Sequence, residues 1–565
     1  MPKPPKNAPT NPLWDSEVNL LIWLATCVSV FSFLFFYRRG EVLLYGDAIA
    51  HINIARRVFD SRTPGLLQLG TVWLPLPHVL MIPFLISKNM WQTGVGGSIP
   101  SMVAYVFGVI GIFRLTRGVL SENAEADRPA RVAAWAAALI YAANPNLIYM
   151  QSTAMGEALY LAFFIWAVVY FAESVRGNTR ALTKCGICLA AACLTRYDGW
   201  FLAAAMVGVL VLARVIAERT DVAGGRAALQ VRVSASESIR ALAPASVVKF
   251  ILIAVAAPVL WLAYNGIVYR NPLEFENGPY SAKAIERKTQ STGNPGHPGG
   301  NNPLIAGMYF LKSAEANVAD NQWLQRAWLM LALAAALALI IPHRPIPLSR
   351  TWPLLFLLVA VPFYALSIAY GGIPIFIPYW WPFSHYNVRY GLHLLPAFAA
   401  AFAILVWIIL DSWNARLRLG CIVAVFALIV ASYANVWRAG PICLKEAQVN
   451  MRTRNQLQGE LAHLLSELPP DSTLLMYLGD QVGALERAGI PLKRTINEGN
   501  HRVWKQPSDP EGLWERALAN PSQYADYVLA FEGDPVWQAV HDRHLRELIE
   551  IHVTGQAPAI LYRAR

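Results

Sequence analysis

Apolar content, the length of the apolar runs and a change of composition near residue 440 predict the fold class. It is an all-α polytopic membrane domain over residues 1–440, followed by a small α/β domain over 441–565. Hydrophobic residues make up 55% of the 565 positions and charged residues only 15%, far below the roughly 25% of a soluble globular chain. Runs able to cross a hydrocarbon core of ~30 Å fall near 18–37, 100–119, 132–150, 155–174, 250–269, 327–342, 352–370, 392–410 and 419–437. A short pair at 185–195 and 200–213 brings the expected number of spans to about eleven.

The first run is expected to be a retained helix, because Asp15 and Glu17 precede it and no small-residue cleavage site follows before Arg38. The stretch 75–88 carries Pro75, Pro77 and Pro83 and is expected to lie in the membrane interface as a short helix of the first outer loop. Lys and Arg in short loops mark the cytoplasmic side. With Lys3 and Lys6 inside, the inner loops take Arg114, Arg117, Arg128 and Arg131, then Arg176, Arg180 and Lys184, then Arg214, Arg219, Arg226, Arg232, Arg240 and Lys249, and finally Arg344, Arg350, Arg416 and Arg418. Segments 38–99, 270–326 and everything after about 440 then face outward, which in a bacterial inner membrane is the periplasm. Much of the net charge of +11 sits in those inner loops against anionic lipid, so it calls for no nucleic-acid partner. Of six cysteines only Cys443 lies outside the apolar runs, and Cys185-Gly186-Ile187-Cys188 reads as packing, since thiolates are disfavoured in hydrocarbon.

Beyond Arg438 a charged helical stretch near 445–467 is followed by apolar runs at Thr473–Leu478 and Tyr527–Phe531 that read as strands. Gly479-Asp480-Gln481-Val482-Gly483 reads as a tight strand-to-helix turn.

Chemistry concentrates on the outward side. Asp47 and His51 are four apart on one helical face after Tyr45-Gly46, the face that packs inward. The alternative role for Asp47 is a helix N-cap. Glu157 falls at the edge of a span, where an unpaired carboxylate costs ~2.5 kcal/mol or more; it either reaches water or faces Asp47 as a second acidic group. Thr195-Arg196-Tyr197-Asp198-Gly199 joins the short spans, and Arg196 is either paired with Asp198 or set to receive a phosphate. In Tyr379-Trp380-Trp381-Pro382-Phe383-Ser384-His385-Tyr386-Asn387-Val388-Arg389-Tyr390, Arg389 beside His385 is a further phosphate candidate. The Gly- and Pro-rich run Gly293–Pro303 is either a lid or a flexible connection.

Over about residues 15–440 these features resemble the GT-C superfamily of membrane glycosyltransferases, in its protein O-mannosyltransferase and aminoarabinose-transferase branch, often called RgtA/B/C/D-like. Gly46-Asp47 is similar to the Gly-Asp that opens the family's first outer loop, although Ala48 stands where Glu is usual. Trp73-Leu74-Pro75-Leu76-Pro77-His78 is similar to a proline-rich start that typically carries Lys, with His78 in its place. Glu157 resembles the acidic residue of the second outer loop, Thr195-Arg196 the Thr-Lys or Thr-Arg turn, and Arg389-Tyr390 before Leu394-Leu395-Pro396 the late Arg-Tyr motif. Trp380-Trp381 is followed by Pro382, so the Trp-Trp-Asp motif of oligosaccharyltransferases is missing.

The resemblance implies a polyprenyl-phosphate-linked sugar as donor and a hydroxyl on a protein, lipid or glycan as acceptor. It implies Asp47 as general base with inversion and Arg196, Arg389 and His78 at the donor phosphate; Glu157, and His51 on the face it shares with Asp47, are further catalytic candidates. Asp198, His385 and Tyr390 are secondary candidates, and Asp47 with Glu157 would be the ligands of any divalent metal ion, which no spacing demands. The competing class is a transporter or lipid flippase with an outward ionisable cavity, though no paired halves are found in the sequence.

Overall fold

The computed structural model describes residues 16–121, 127–222, 244–291, 296–340, 348–412, 415–479, 481–500 and 512–565. Lys3, Lys6, Asp15, Arg226, Arg232, Arg240, Arg344, Gly293–Pro295 and Asp480, named above, lie outside the described residues.

Among the described residues nine helices are long and apolar enough to cross a membrane. The other two expected spans are 15-residue helices, Arg128–Ala142 and Thr179–Cys193. The first of these stops where Asn144 accepts from the backbone of Leu147 and Pro145 opens a new helix, Pro145–Gln151. The second begins at Thr179, so Lys184 and its neighbours do lengthen the short run. At ~22 Å it still falls short of the hydrocarbon thickness, and the turn at Arg196 ends up within the helical layer. The chain is thus a multi-pass integral membrane protein with a small sheet domain at its C-terminal end.

After helix α1 (Ser16–Arg38) come α2 (Gly46–Arg57) and α3 (Leu76–Leu85). With Pro77 in its first turn and Pro83 inside, α3 has ten residues and cannot span, as expected of an interfacial helix. Two glycines set close approaches. A Cβ on Gly391 would run into the backbone of Ser313 and Ala314, so only glycine lets the turn Val388–Leu394 press on helix Pro303–Val318. A Cβ on Gly46 would strike the Arg454 guanidinium, which lies over the start of α2.

The last long run breaks at Gly440, which takes φ +90°, and Pro441. Helix Ile442–Ser466 then lies back on the membrane domain, with the Cys443 amide donating to Asn146 and the Tyr45 hydroxyl to the Cys443 carbonyl. The sheet has order β2-β1-β3-β5-β4. β1 (Leu474–Met476) lies parallel between β2 (Thr495–Ile496) and β3 (Tyr527–Phe531), while β5 (Ala559–Arg563) is antiparallel to β3 and to the edge strand β4 (Arg546–Ile551).

This domain is fastened to α2. Asn53 donates to the Glu486 carboxyl at 3.0 Å and Trp91 donates to the Asn53 carbonyl at 3.0 Å. Nearby, Gln68 donates to the Gly499 carbonyl and Asn500 to the Thr63 hydroxyl.

Burial pushes the Glu486 carboxyl up to about 8, against the lowering effect of the Asn53 hydrogen bond. A carboxyl raised above its unfolded value of 4.5 contributes stability that is fully present below that value and lost as pH rises through about 8. The thermal midpoint is therefore expected to fall between pH 6 and pH 9 in the wild type and to change much less in Glu486→Gln. Equal pH dependence in both proteins would remove Glu486 as the cause.

Candidate active site

Arg389 is the hub of a buried ionic cluster. The left-handed conformation of Asn387 (φ +56°), one that Asn tolerates, turns the chain into Val388–Leu394 and leaves Arg389 buried, with 6% of its side chain exposed. Its guanidinium donates to Asp47 at 2.6 Å, to Glu446 at 2.6 Å and to Glu157 at 3.1 Å. The Glu446 carboxylate also accepts the backbone amides of Asn387 at 3.0 Å and Arg389 at 3.3 Å, clamping the start of the turn. The rings of Tyr45 and Tyr390 cover the guanidinium at 5.1 and 4.9 Å.

Glu157, 1% exposed, uses the same oxygen to accept from Arg196 at 3.3 Å, so it bridges both guanidiniums. Arg196 continues to Asp198 at 3.3 Å and to the Tyr364 hydroxyl at 3.1 Å. Asp198 in turn receives Tyr364 at 3.2 Å and lies 2.7 Å from His393 Nδ1. The Arg196–Asp198 pair of the sequence reading is thus present, inside a larger network.

Asp47 is the open end of this cluster, with 40% of its side chain exposed. Tyr45 occupies the N-cap position of α2 without a side-chain cap bond, and the Asp47 carboxylate engages Arg389 instead of capping. One turn on, His51 is buried, lies edge-on to Trp73 at 5.1 Å, and places Nδ1 2.8 Å from His78 Nε2. Burial pushes both imidazoles below the usual histidine range, His78 furthest.

These groups border a cavity of about 830 Å³ whose wall includes Asp47, His51, Glu157, Arg196, Asp198, His385, Arg389 and Tyr390. The cavity is also lined by Phe275, Tyr280 and helix Ala282–Ser291 of the loop 270–326, and by Gly296 and His297 of the Gly- and Pro-rich run. His78 is not on this wall. It is fully buried behind His51 and meets the site only through that ring.

Asp47 and Glu157 do not approach as a metal pair, because the Arg389 guanidinium lies between them and bonds to both. Among the described residues no group of three or more His, Cys, Asp and Glu could hold a metal ion. The donor set does not fit a divalent cation.

Glu446, Tyr364 and His393 were not among the sequence candidates. Glu446 had a signal: it falls with Cys443, Ala447 and Met451 on one stripe of Ile442–Ser466, an acid on a buried helical face.

The fold has solved counterparts. ArnT from Cupriavidus metallidurans bound to undecaprenyl phosphate is 12% identical with a TM-score of 0.53, covering 97% of this chain and 98% of that one. Its apo form gives 12% identity, a TM-score of 0.52 and coverages of 97% and 99%. An apo oligosaccharyltransferase from Archaeoglobus fulgidus is 13% identical at a TM-score of 0.47, over 91% of this chain and 69% of that one. No family profile matches the sequence. No curated protein matches it either. The chain shares its fold with ArnT.

Removing one partner of a buried charge network leaves the others uncompensated, at about 3–5 kcal/mol. Arg389→Met is therefore expected to lose thermal stability on that scale, since Glu157 and Glu446 are buried beside it. Asp47→Asn, at the exposed end, should stay near wild type. Equal stability of the two variants in a melting assay would contradict the hub role of Arg389.

Proposed function

We propose that this chain is a glycosyltransferase that moves a sugar from a polyprenyl-phosphate-linked donor to an acceptor hydroxyl at the outer face of the membrane. The observation that supports this reading best is a half-exposed carboxylate, Asp47, at the wall of a cavity that is also lined by two carboxylate-paired guanidiniums, Arg389 buried and Arg196 partly buried. ArnT, which shares the fold, was solved with undecaprenyl phosphate, and a lipid of the same class is the donor proposed here.

Arg196 and Arg389 supply the charge that a departing phosphate requires, preorganised by carboxylates on both sides. Both guanidiniums are engaged in the resting cluster, so the phosphate has to compete for them. The accessible competitor is Asp47, while Glu157 and Glu446 are buried. In this reading the donor phosphate takes the Asp47 place on Arg389. The released carboxylate then accepts the proton of the acceptor hydroxyl as that oxygen attacks the anomeric carbon, and the configuration inverts. General-base assistance of this type is worth ~10²–10⁴ in rate.

Asp47→Asn keeps size and most hydrogen bonding while removing the proton acceptor. Sugar transfer from a polyprenyl-phosphate donor is expected to fall by roughly 10²-fold or more. Turnover close to wild type in that variant would refute the base assignment.

The sidedness is tested separately with Ser522→Cys and Arg180→Cys in a cysteine-free background, both positions being exposed. Only Ser522→Cys should react with a membrane-impermeant thiol reagent on intact cells. Labelling at Arg180→Cys alone would invert the topology.

A further inference from the structure

The sequence makes His51 a catalytic candidate without fixing its role, and the geometry points to one. His51 Nδ1 and His78 Nε2 are 2.8 Å apart, so one carries a proton and the other accepts it. The remaining nitrogen of His78, Nδ1, is buried and without a partner. A buried N–H left unpaired is rarer and costlier than a buried lone pair left unpaired. His78 therefore keeps its proton on Nε2 and leaves Nδ1 bare.

That choice propagates. His78 Nε2–H donates to His51, so His51 Nδ1 is the acceptor and the His51 proton must sit on Nε2. The His51 ring lines the cavity, and Nε2 is the nitrogen not engaged with His78.

We infer that His51 is a neutral hydrogen-bond donor to a bound ligand oxygen, with His78 as the positioning residue that fixes its tautomer. Resting on the glycosyl-transfer reading, that oxygen belongs to the phosphate or sugar of the donor lipid. His51 does not take the acceptor proton, because the only lone pair it holds faces His78. Asp47 is left as the proton acceptor of the pair.

The groups around the two rings agree with a neutral pair. Asp47 and Glu157 favour a charged His51, while Arg196, Arg389 and the burial itself oppose it, and burial is the largest effect. His78 faces His51 and Arg57, both of which oppose its protonation. A doubly protonated His51 would also set two N–H groups against each other across 2.8 Å.

The tautomer can be read without turnover. Protein labelled with ¹⁵N-histidine in lipid nanodiscs at pH 7, with His51 assigned by its loss in His51→Asn, should show a pyrrole-type Nε2 and a pyridine-type Nδ1. A His51 proton on Nδ1, or on both nitrogens, overturns the inference and leaves the glycosyl-transfer reading untouched.

The second arm uses His78 and undecaprenyl phosphate as the probe. Glutamine keeps an N–H donor and leucine does not. Affinity should fall by about tenfold in His78→Leu, the scale of a hydrogen bond to a charged group, and return to within about threefold of wild type in His78→Gln. Equal affinity in both variants overturns the positioning role. Loss of transfer in Asp47→Asn is independent of either outcome.

Discussion

The pairing of Arg389 with three carboxylates is the interaction on which the rest of the structure depends. It joins α2 through Asp47, the helix Glu157–Val175 through Glu157, and the helix Ile442–Ser466 through Glu446. Those segments are distant in sequence. A guanidinium withdrawn from water is tolerated only when each of its donors finds a partner, so the three elements have to arrive together. Glycine at 391, asparagine at 387 and the tyrosine rings over the guanidinium all serve that one placement.

The cluster also carries an excess of acid, since Asp47, Glu157, Asp198 and Glu446 share two guanidiniums, Arg196 and Arg389, with His393 beside Asp198. In the proposed reaction an incoming phosphate would not meet a free cation but a network that has to surrender one anion, with exposure deciding which. Asp47 is 40% exposed on its side chain and sits at the N-terminal turn of a helix held in place by the C-terminal domain. The bond that donor binding would break is the bond that keeps the proposed base occupied, which couples the arrival of donor to the readiness of the catalyst.

Much of the architecture was legible in the sequence because bilayer thickness is a strict constraint. Eight of the nine long apolar runs, together with 200–213, became helices long and apolar enough to cross, the three prolines of 75–88 marked a helix too short to do so, and the change of composition beyond Arg438 fell at the end of helix Ala415–Ala439. β1 and β3 were visible as short apolar runs, whereas β2 has two residues and β4 reads Arg-Glu-Leu-Ile-Glu-Ile with most of its side chains exposed. In the site, Asp47, His51, Glu157, Arg196, Asp198, His385, Arg389 and Tyr390 do border one cavity. The sequence could not show that both arginines are already paired, because Glu446, Tyr364 and His393 come from segments whose distance depends on tertiary packing. Nor could it place His78 behind His51, since the two are 27 residues apart and the contact depends on how α3 folds against α2.

The most direct measurement is the affinity of undecaprenyl phosphate for the wild type and for Asp47→Asn, compared in nanodiscs at pH 7. If the lipid phosphate displaces Asp47 from Arg389, removing the charge of Asp47 removes the competitor, and the variant should bind the lipid more tightly by about fivefold, the scale of a part-exposed ion pair. Weaker binding by Asp47→Asn, or binding unchanged from the wild type, would contradict the exchange.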